Sequence, residues 1–150
     1  MIDPSTQTLV SLFFDNAERL GDRPLLWRKE GGAFQPTSWR AAAAAVIRLA
    51  NGLARLGVEP CDRVVLVGES RPEWPIADLA IMAVGAITVP AYVTNTEDDH
   101  RHILENSEAV AAIVTTQRLA ARLLPAAARQ PTCRVVIAIE PWAEANAGTG

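Results

Sequence analysis

The sequence predicts an α/β fold with a largely parallel, doubly wound sheet, preceded by an N-terminal helix and a β-hairpin. Three observations carry that prediction. Residues 64–67 are a β-branched, apolar run, too short for a buried helix and suited to a strand buried on both faces. An almost wholly apolar helical stretch follows, and residues 86–89 read as the next strand. The alternation then repeats, with strands expected at 111–115 and 134–139 and helical stretches between them. A strand, a helix and a second strand make a right-handed crossover, and such sheets bind ligands beyond the carboxyl ends of their strands.

In chain order, residues 8–20 form an amphipathic helix with Leu9, Leu12, Phe13, Ala17 and Leu20 on one side and Gly21 past its end. Residues 24–28 and 34–37 flank Gly31-Gly32, a hairpin signal. Thr37 or Ser38 caps a long helix over 39–56, in which Val46, Leu49, Ala50, Leu53 and Leu56 keep helical spacing and which Gly57 stops. Its alanine run, 41–45, reflects helix propensity and close packing, not a low-complexity linker. Ser70 is expected to cap the next helix, with Pro72 in its first turn, and Gly85 to end it in the left-handed conformation. Pro90 is expected to stop the strand that follows. Thr96 and Asp99 form a capping-box variant opening a helix to about Asn106, and a helix over 117–128 is expected to bend or split at Pro125. Residues 1–142 read as one domain and 143–150 as a small-residue tail or truncation point, with no internal repeat.

With 49% hydrophobic and 21% charged residues, the 150-residue chain has the composition of a soluble fold large enough for a real core. A formal net charge of −3 gives no electrostatic footprint for nucleic acid, and the scattered arginines form no polybasic cluster. Cys61 and Cys133 lack CxxC spacing and read as reduced structural thiols of a cytoplasmic protein. Asp3-Pro4 interrupts any signal-peptide pattern at the start, and no apolar run reaches the roughly 20 residues of a membrane span. Peripheral membrane contact stays open.

Several residues invite a functional reading beside a plain one. Arg71 follows a strand at a helix start, where it can meet an anionic group or pair with Glu73. Trp74 can wall a ligand tunnel or sit in the core, and Trp39 reads as core. His100 and His102 lie two apart on a helix and point to different faces, so no metal site is expected. No serine or threonine has a histidine and carboxylate arrangement for nucleophilic catalysis. The turn Gly68-Glu69-Ser70-Arg71 lacks the glycine pattern of a dinucleotide site. Tyr92, Thr94 and Asn95 follow a buried strand at the carboxyl edge and are the residues expected to face a ligand. The alternative is a turn that caps the next helix.

Order and spacing of many modest signals give the chain a resemblance. Trp39 at a helix start, Leu49-Ala50-Asn51-Gly52-Leu53, Leu56-Gly57-Val58, Asp62-Arg63-Val64, Arg71-Pro72-Glu73-Trp74, Gly85-Ala86-Ile87-Thr88-Val89-Pro90 and Ile103-Leu104-Glu105-Asn106-Ser107 together make it. The stretch from about residue 9 to about residue 114 resembles the opening of the AMP-forming acyl-CoA synthetases, the long-chain fatty acid–CoA ligases of the adenylate-forming superfamily. Cys61 departs from the pattern, standing where the family usually has glycine.

The resemblance implies the N-terminal subdomain of the adenylate-forming synthetase fold. It implies a parent enzyme that makes an acyl-adenylate and pyrophosphate from ATP and a fatty or related carboxylic acid, then passes the acyl group to CoA, with ATP, CoA and Mg²⁺ as cofactors. It places Tyr92, Thr94 and Asn95 by the channel for the pantetheine arm of CoA, with Arg71 a weaker candidate. The family's Ser/Thr/Gly-rich phosphate loop ending in lysine, its later acidic motif and its C-terminal lysine are not found here, and Lys29 is the sole lysine. Without lysine and backbone amides to hold transferring phosphates, the chain is expected to be the inert N-terminal piece of a ligase, with no catalytic residue and no tightly bound cofactor. A half-sheet missing its partner strands is expected to expose an apolar face suited to a second copy. The alternative is a standalone, non-catalytic α/β binding or interaction module.

Overall fold

The computed structural model describes residues 7–141. The chain divides into two compact units, one holding the residues up to Asp62 together with Ser70–Thr88, the other holding Arg63–Glu69 and the residues from Val89 onward. The expected tail at 143–150 lies outside the described residues.

In the first unit, α1 (Leu9–Leu20) opens with a reciprocal cap: the Ser11 N–H donates to Thr8 Oγ1 at 3.0 Å, and the Thr8 N–H donates to Ser11 Oγ at 2.9 Å. The strands β1 (Pro24–Glu30) and β2 (Ala33–Ser38) pair antiparallel around Gly31-Gly32, both at positive φ, as a two-residue hairpin turn requires. Ser38, not Thr37, caps α2 (Trp39–Arg55), accepting the Ala41 N–H at 3.2 Å. Ala42, Val46 and Leu53 give that helix its buried stripe. Leu56, expected in the stripe, is 51% exposed because the helix stops at Arg55 and Leu56 becomes its C-terminal cap.

The helix α3 (Glu73–Ala83) begins later than its sequence signals suggest. Pro72 stands at the N-cap with no side-chain cap bond, so Ser70 does not perform that role. Glu73 opens the first turn, where its negative charge suits the helix dipole, and its carboxylate takes Arg71 and Arg28 as partners. At the other end the Gly85 N–H donates to Met82 O and the Ala86 N–H to Ile81 O, a Schellman motif that needs the positive φ of 83° at Gly85. Leu9, Leu12, Phe13, Trp39, Leu79 and Met82 line most of an apolar cavity of about 290 Å³ in this unit. Leu9 and Leu12, predicted to pack, are 61% and 42% exposed at its rim.

The second unit is built on β3 (Arg63–Val67), α4 (Glu97–Ser107), β5 (Ala111–Val114), α5 (Gln117–Ala128) and β6 (Val135–Ala138). With β4 (Ile87–Ala91), whose residues fall in both units, the sheet order is β4-β3-β5-β6. β3 pairs parallel with β5 from Val64↔Ala111 to Val67↔Val114, and β5 with β6 from Ala111↔Val135 to Val114↔Ala138. Every residue of Val64–Val67 and of β5 is fully buried, the two-faced burial that the apolar run predicts. Val65, Val67, Ala112 and Val114 pack with Leu104 of α4 and Leu119 and Leu123 of α5. Each buried Val, Leu or Ile contributes about 1.5–3 kcal/mol relative to exposure. An exposed ion pair contributes about 0–1 kcal/mol, so the apolar core outweighs the surface charges.

Two prolines behave differently from expectation. Pro90 does not stop its strand: β4 runs on to Ala91, because an edge strand has an unpaired side on which a missing N–H costs no ladder bond. Pro125 does not split α5, which continues to Ala128. The carbonyl that loses its partner belongs to Ala121, an exposed position.

Cys61 adopts φ +71° and donates its N–H to Gly85 O at 2.8 Å. The position thus keeps the left-handed backbone that glycine tolerates best, at a steric cost for cysteine. Cys61→Gly is expected to stabilise the chain by about 0.5–1 kcal/mol. Gly85→Ala, with φ +83° and Pro60 3.2 Å from the added Cβ, is expected to cost about 1–2 kcal/mol. Urea denaturation of both variants checks the pair, and the same sign in both would contradict the strain account.

Candidate functional site

The chain leaves β3 for the neighbouring edge strand β4, then returns past β3 to β5. Successive connections thus run in opposite directions from β3, and the carboxyl ends of β3 and β5 mark the point where the order reverses, the usual ligand position in such sheets. In the second unit this edge carries Glu69 after β3, the turn after β4, and Thr115 after β5.

Glu69 and Thr115 are joined directly. The Thr115 N–H donates to Val67 O at 3.0 Å, extending the ladder by one bond, and its hydroxyl then donates to Glu69 Oε2 at 2.5 Å. Arg118, in the first turn of α5, donates to Glu69 Oε1 at 3.1 Å. Thr115 is fully buried, so its hydroxyl needs this partner. Burial pushes the Glu69 pKa up. Hydrogen bonds from Thr115, from its own backbone and from Arg118, with the Arg118 charge, outweigh that and hold it below the usual value. Sequence reading places Glu69 in a turn without the glycine pattern of a dinucleotide site and gives it no role of its own, and the overlooked signal is a carboxylate and a hydroxyl that each follow a buried strand.

Tyr92, Thr94 and Asn95 come together in one turn, closed by the Asn95 N–H donating to Tyr92 O at 3.2 Å. Tyr92 is 80% exposed, Thr94 is exposed and Asn95 is half-buried. The Asn95 carbonyl accepts from Arg122 Nη1 at 3.4 Å. Capping of α4 falls to Thr96 and Asp99: the Asp99 N–H donates to Thr96 Oγ1 at 3.3 Å, and Asp99 Oδ2 accepts from the Thr96 N–H and hydroxyl, each at 2.8 Å. Those bonds, backbone first, hold the Asp99 pKa below the ordinary value. Among the described residues the side chains of Thr94 and Asn95 make no hydrogen bond, so the capping role leaves them available.

Arg71 belongs to the first unit. Its Nε donates to Glu73 Oε2 at 2.9 Å, Arg28 pairs with the same carboxylate, and Arg71 lines a cavity of about 200 Å³ with Trp27, Ser70 and Pro72. Trp74 is partly buried, with its backbone N–H on Arg71 O, and Trp39 packs against Phe13 with ring centroids 5.8 Å apart. His100 is buried and His102 exposed. Burial holds the His100 pKa low, the Arg122 charge adds to that, and Asp99 opposes it. Among the described residues no cluster of three His, Cys, Asp or Glu side chains could hold a metal, and neither cysteine is in a disulfide. The carboxyl edge therefore offers hydrogen-bonding groups and guanidinium charge.

The family described as AMP-binding enzyme matches residues 13–149. The long-chain-fatty-acid–CoA ligase FadD15 of Mycobacterium tuberculosis is 34% identical over 131 residues, covering 87% of this chain and 22% of the relative. A 4-coumarate–CoA ligase-like protein of Oryza sativa is 32% identical over 121 residues, covering 80% and 22%. The chain thus spans about a fifth of the length of these relatives. Among solved structures, the anthranilate CoA ligase AuaEII in complex with anthranoyl-AMP superposes with a TM-score of 0.80 at 20% identity, over 91% of this chain and 26% of that one. The N-terminal subdomain of Klebsiella oxytoca NpsA, in complex with 3-hydroxybenzoyl-AMSN, gives 0.71 at 21%, over 89% and 30%. Both likenesses show the α/β fold with its N-terminal helix and hairpin.

Thr115→Val keeps the shape and removes the hydroxyl. It is expected to destabilise the chain by about 1–2 kcal/mol near neutral pH and to raise the Glu69 pKa. A lowered folded pKa contributes stability that is present above the unfolded value and lost as pH falls through the folded one, so the variant should lose less stability on acidification. NMR titration of the Glu69 carboxyl with urea melts across that range checks this, and an unmoved pKa would refute the assignment.

Proposed function

The chain belongs to the AMP-binding enzyme family, and on that premise we propose that it supplies the N-terminal portion of an ATP-dependent, AMP-forming fatty acid–CoA ligase. The observation that carries the substrate class is the 34% identity to a long-chain-fatty-acid–CoA ligase over most of this chain. In the reaction a fatty acid carboxylate attacks the α-phosphorus of ATP and releases pyrophosphate. The CoA thiol then attacks the acyl carbonyl and releases AMP.

The part assigned to these residues is scaffold and thiol channel. Tyr92, Thr94 and Asn95 sit at the carboxyl edge, and the Thr94 and Asn95 side chains, unused by the fold, are the candidates to contact the pantetheine arm of CoA. Arg71 is a weaker candidate, since Glu73 already answers its charge. ATP and Mg²⁺ are assigned to residues beyond this chain, because its sole lysine, Lys29, lies in β1 and no phosphate loop precedes it. The chain by itself is accordingly inert. Cysteines outside any disulfide, Cys61 and Cys133, suit a reducing cytoplasm, with peripheral contact at membranes where a fatty acid partitions. Among the described residues no helix is long and apolar enough to cross a membrane.

An assay with palmitate, ATP, Mg²⁺ and CoA separates this reading from a non-catalytic module. A polypeptide extended to the length of the relatives should form palmitoyl-CoA and AMP in equal amounts, and the 150-residue chain neither. No acyl-CoA from the extended protein with fatty or aryl acids, or ADP in place of AMP, would overturn it.

A further inference from the structure

The first unit carries an open apolar groove between α1 and α3 with a single acidic side chain on its wall. Two cavities, of about 290 and 430 Å³, adjoin there and share Leu9 and Met82. Asn16 and Asp78 line only the first, Ala83 and Ala86 only the second, so the groove follows α3 from Asp78 to its C-terminal end. That is about 8 Å of helix at 1.5 Å per residue. Leu12, Phe13 and Leu79 lie on the wall of the first cavity, and Leu9 and Leu12 stay open to water at its rim. An apolar cleft of this size with one or two polar groups is the usual form of a small-molecule site.

Asp78 decides which molecule suits it. The residue is half-buried, and among the described residues its carboxylate has neither a hydrogen bond nor an ion pair. Its neighbours three and four positions away on α3, Trp74, Pro75, Ile81 and Met82, carry no charge that could answer it. The other polar side chains on the walls are engaged locally. Thr8 caps α1, and Asn16 Oδ1 accepts from Arg19 Nη2 at 2.7 Å, a guanidinium that does not line either cavity. An apolar groove alone would take any hydrocarbon. A carboxylate at one end attracts a cationic head that donates hydrogen bonds and repels an anionic one.

We propose that this groove binds an aliphatic primary amine in its ammonium form, the alkyl chain lying between α1 and α3 and the ammonium donating to Asp78. The inference goes beyond the ligase reading and does not depend on it. A fatty acid has the apolar tail but the wrong charge for Asp78, so the groove takes the amine in preference to the acid.

The test titrates octylamine, octanol and octanoate into the 150-residue chain near neutral pH and low salt, followed by ¹H–¹⁵N NMR. Saturable octylamine shifts are expected at the amides of Leu12, Asn16, Asp78, Leu79 and Met82. Octylamine should bind about tenfold tighter than octanol, and octanoate most weakly. Asp78→Asn keeps the side-chain shape and should lower octylamine affinity about tenfold while leaving octanol binding in place, which shows in the same variant that the groove is intact. Asp15→Asn removes an exposed carboxylate of α1 that lines neither cavity and should bind octylamine as the parent does. Added salt should weaken octylamine and leave octanol unmoved. Octanoate binding as tightly as octylamine, shifts that are absent or lie elsewhere, or unchanged octylamine affinity in Asp78→Asn would overturn the proposal.

Discussion

The pairing of β3 with β5 is the constraint from which the rest follows. Parallel neighbours cannot be joined by a hairpin, so the chain between them must travel out, form β4 at the edge, and return through α4. The in-register match from Val64↔Ala111 to Val67↔Val114 decides which residues emerge side by side at the carboxyl edge. One further backbone bond, Thr115 N–H to Val67 O, aligns the two exits and sets the Thr115 hydroxyl against Glu69. A slip of one residue would turn every side chain of a strand to the other face. Both faces of these strands are buried and apolar, so side-chain volume and the ladder exits, more than polarity, fix the register.

Much of this was legible in the sequence because local chemistry and global fold agree. The hairpin at Gly31-Gly32, the cap at Thr96, the helix end at Gly85 and the buried strands each follow from residue types at fixed offsets. The misjudged positions are those where tertiary context outweighs a local rule. Pro90 stays in a strand because that strand is an edge, and Pro125 stays in a helix because the orphaned carbonyl belongs to an exposed residue. Ser70 yields the start of α3 to Pro72 and Glu73, whose carboxylate is engaged by two arginines. Glu69 and Thr115 lie 46 residues apart, and only strand register brings them together. The Tyr92 to Asn95 turn follows its strand as the sequence suggests, while its link to Arg122 depends on how α5 packs and has no local signal.

The two ends of the sheet divide the labour. At the amino end, Cys61 N–H to Gly85 O and Ile87 N–H to Asp62 O tie the turn before β3 to the one before β4, and the cost of a left-handed cysteine is borne there. At the carboxyl edge, the Glu69, Thr115 and Arg118 cluster uses its polar groups on one another, and the neighbouring turn keeps Tyr92, Thr94 and Asn95 uncommitted. A hydrogen-bonded cluster beside an uncommitted turn suits the positioning role proposed for this chain, whose sole lysine lies in β1.

The central claim is that these residues position a thiol substrate for chemistry performed by residues encoded further on. Sequencing the coding strand past the codon for Gly150 tests it most directly. The account predicts an uninterrupted frame that reaches a Ser/Thr/Gly-rich loop ending in lysine. A stop codon after Gly150 would contradict it and leave a non-catalytic module of the same fold.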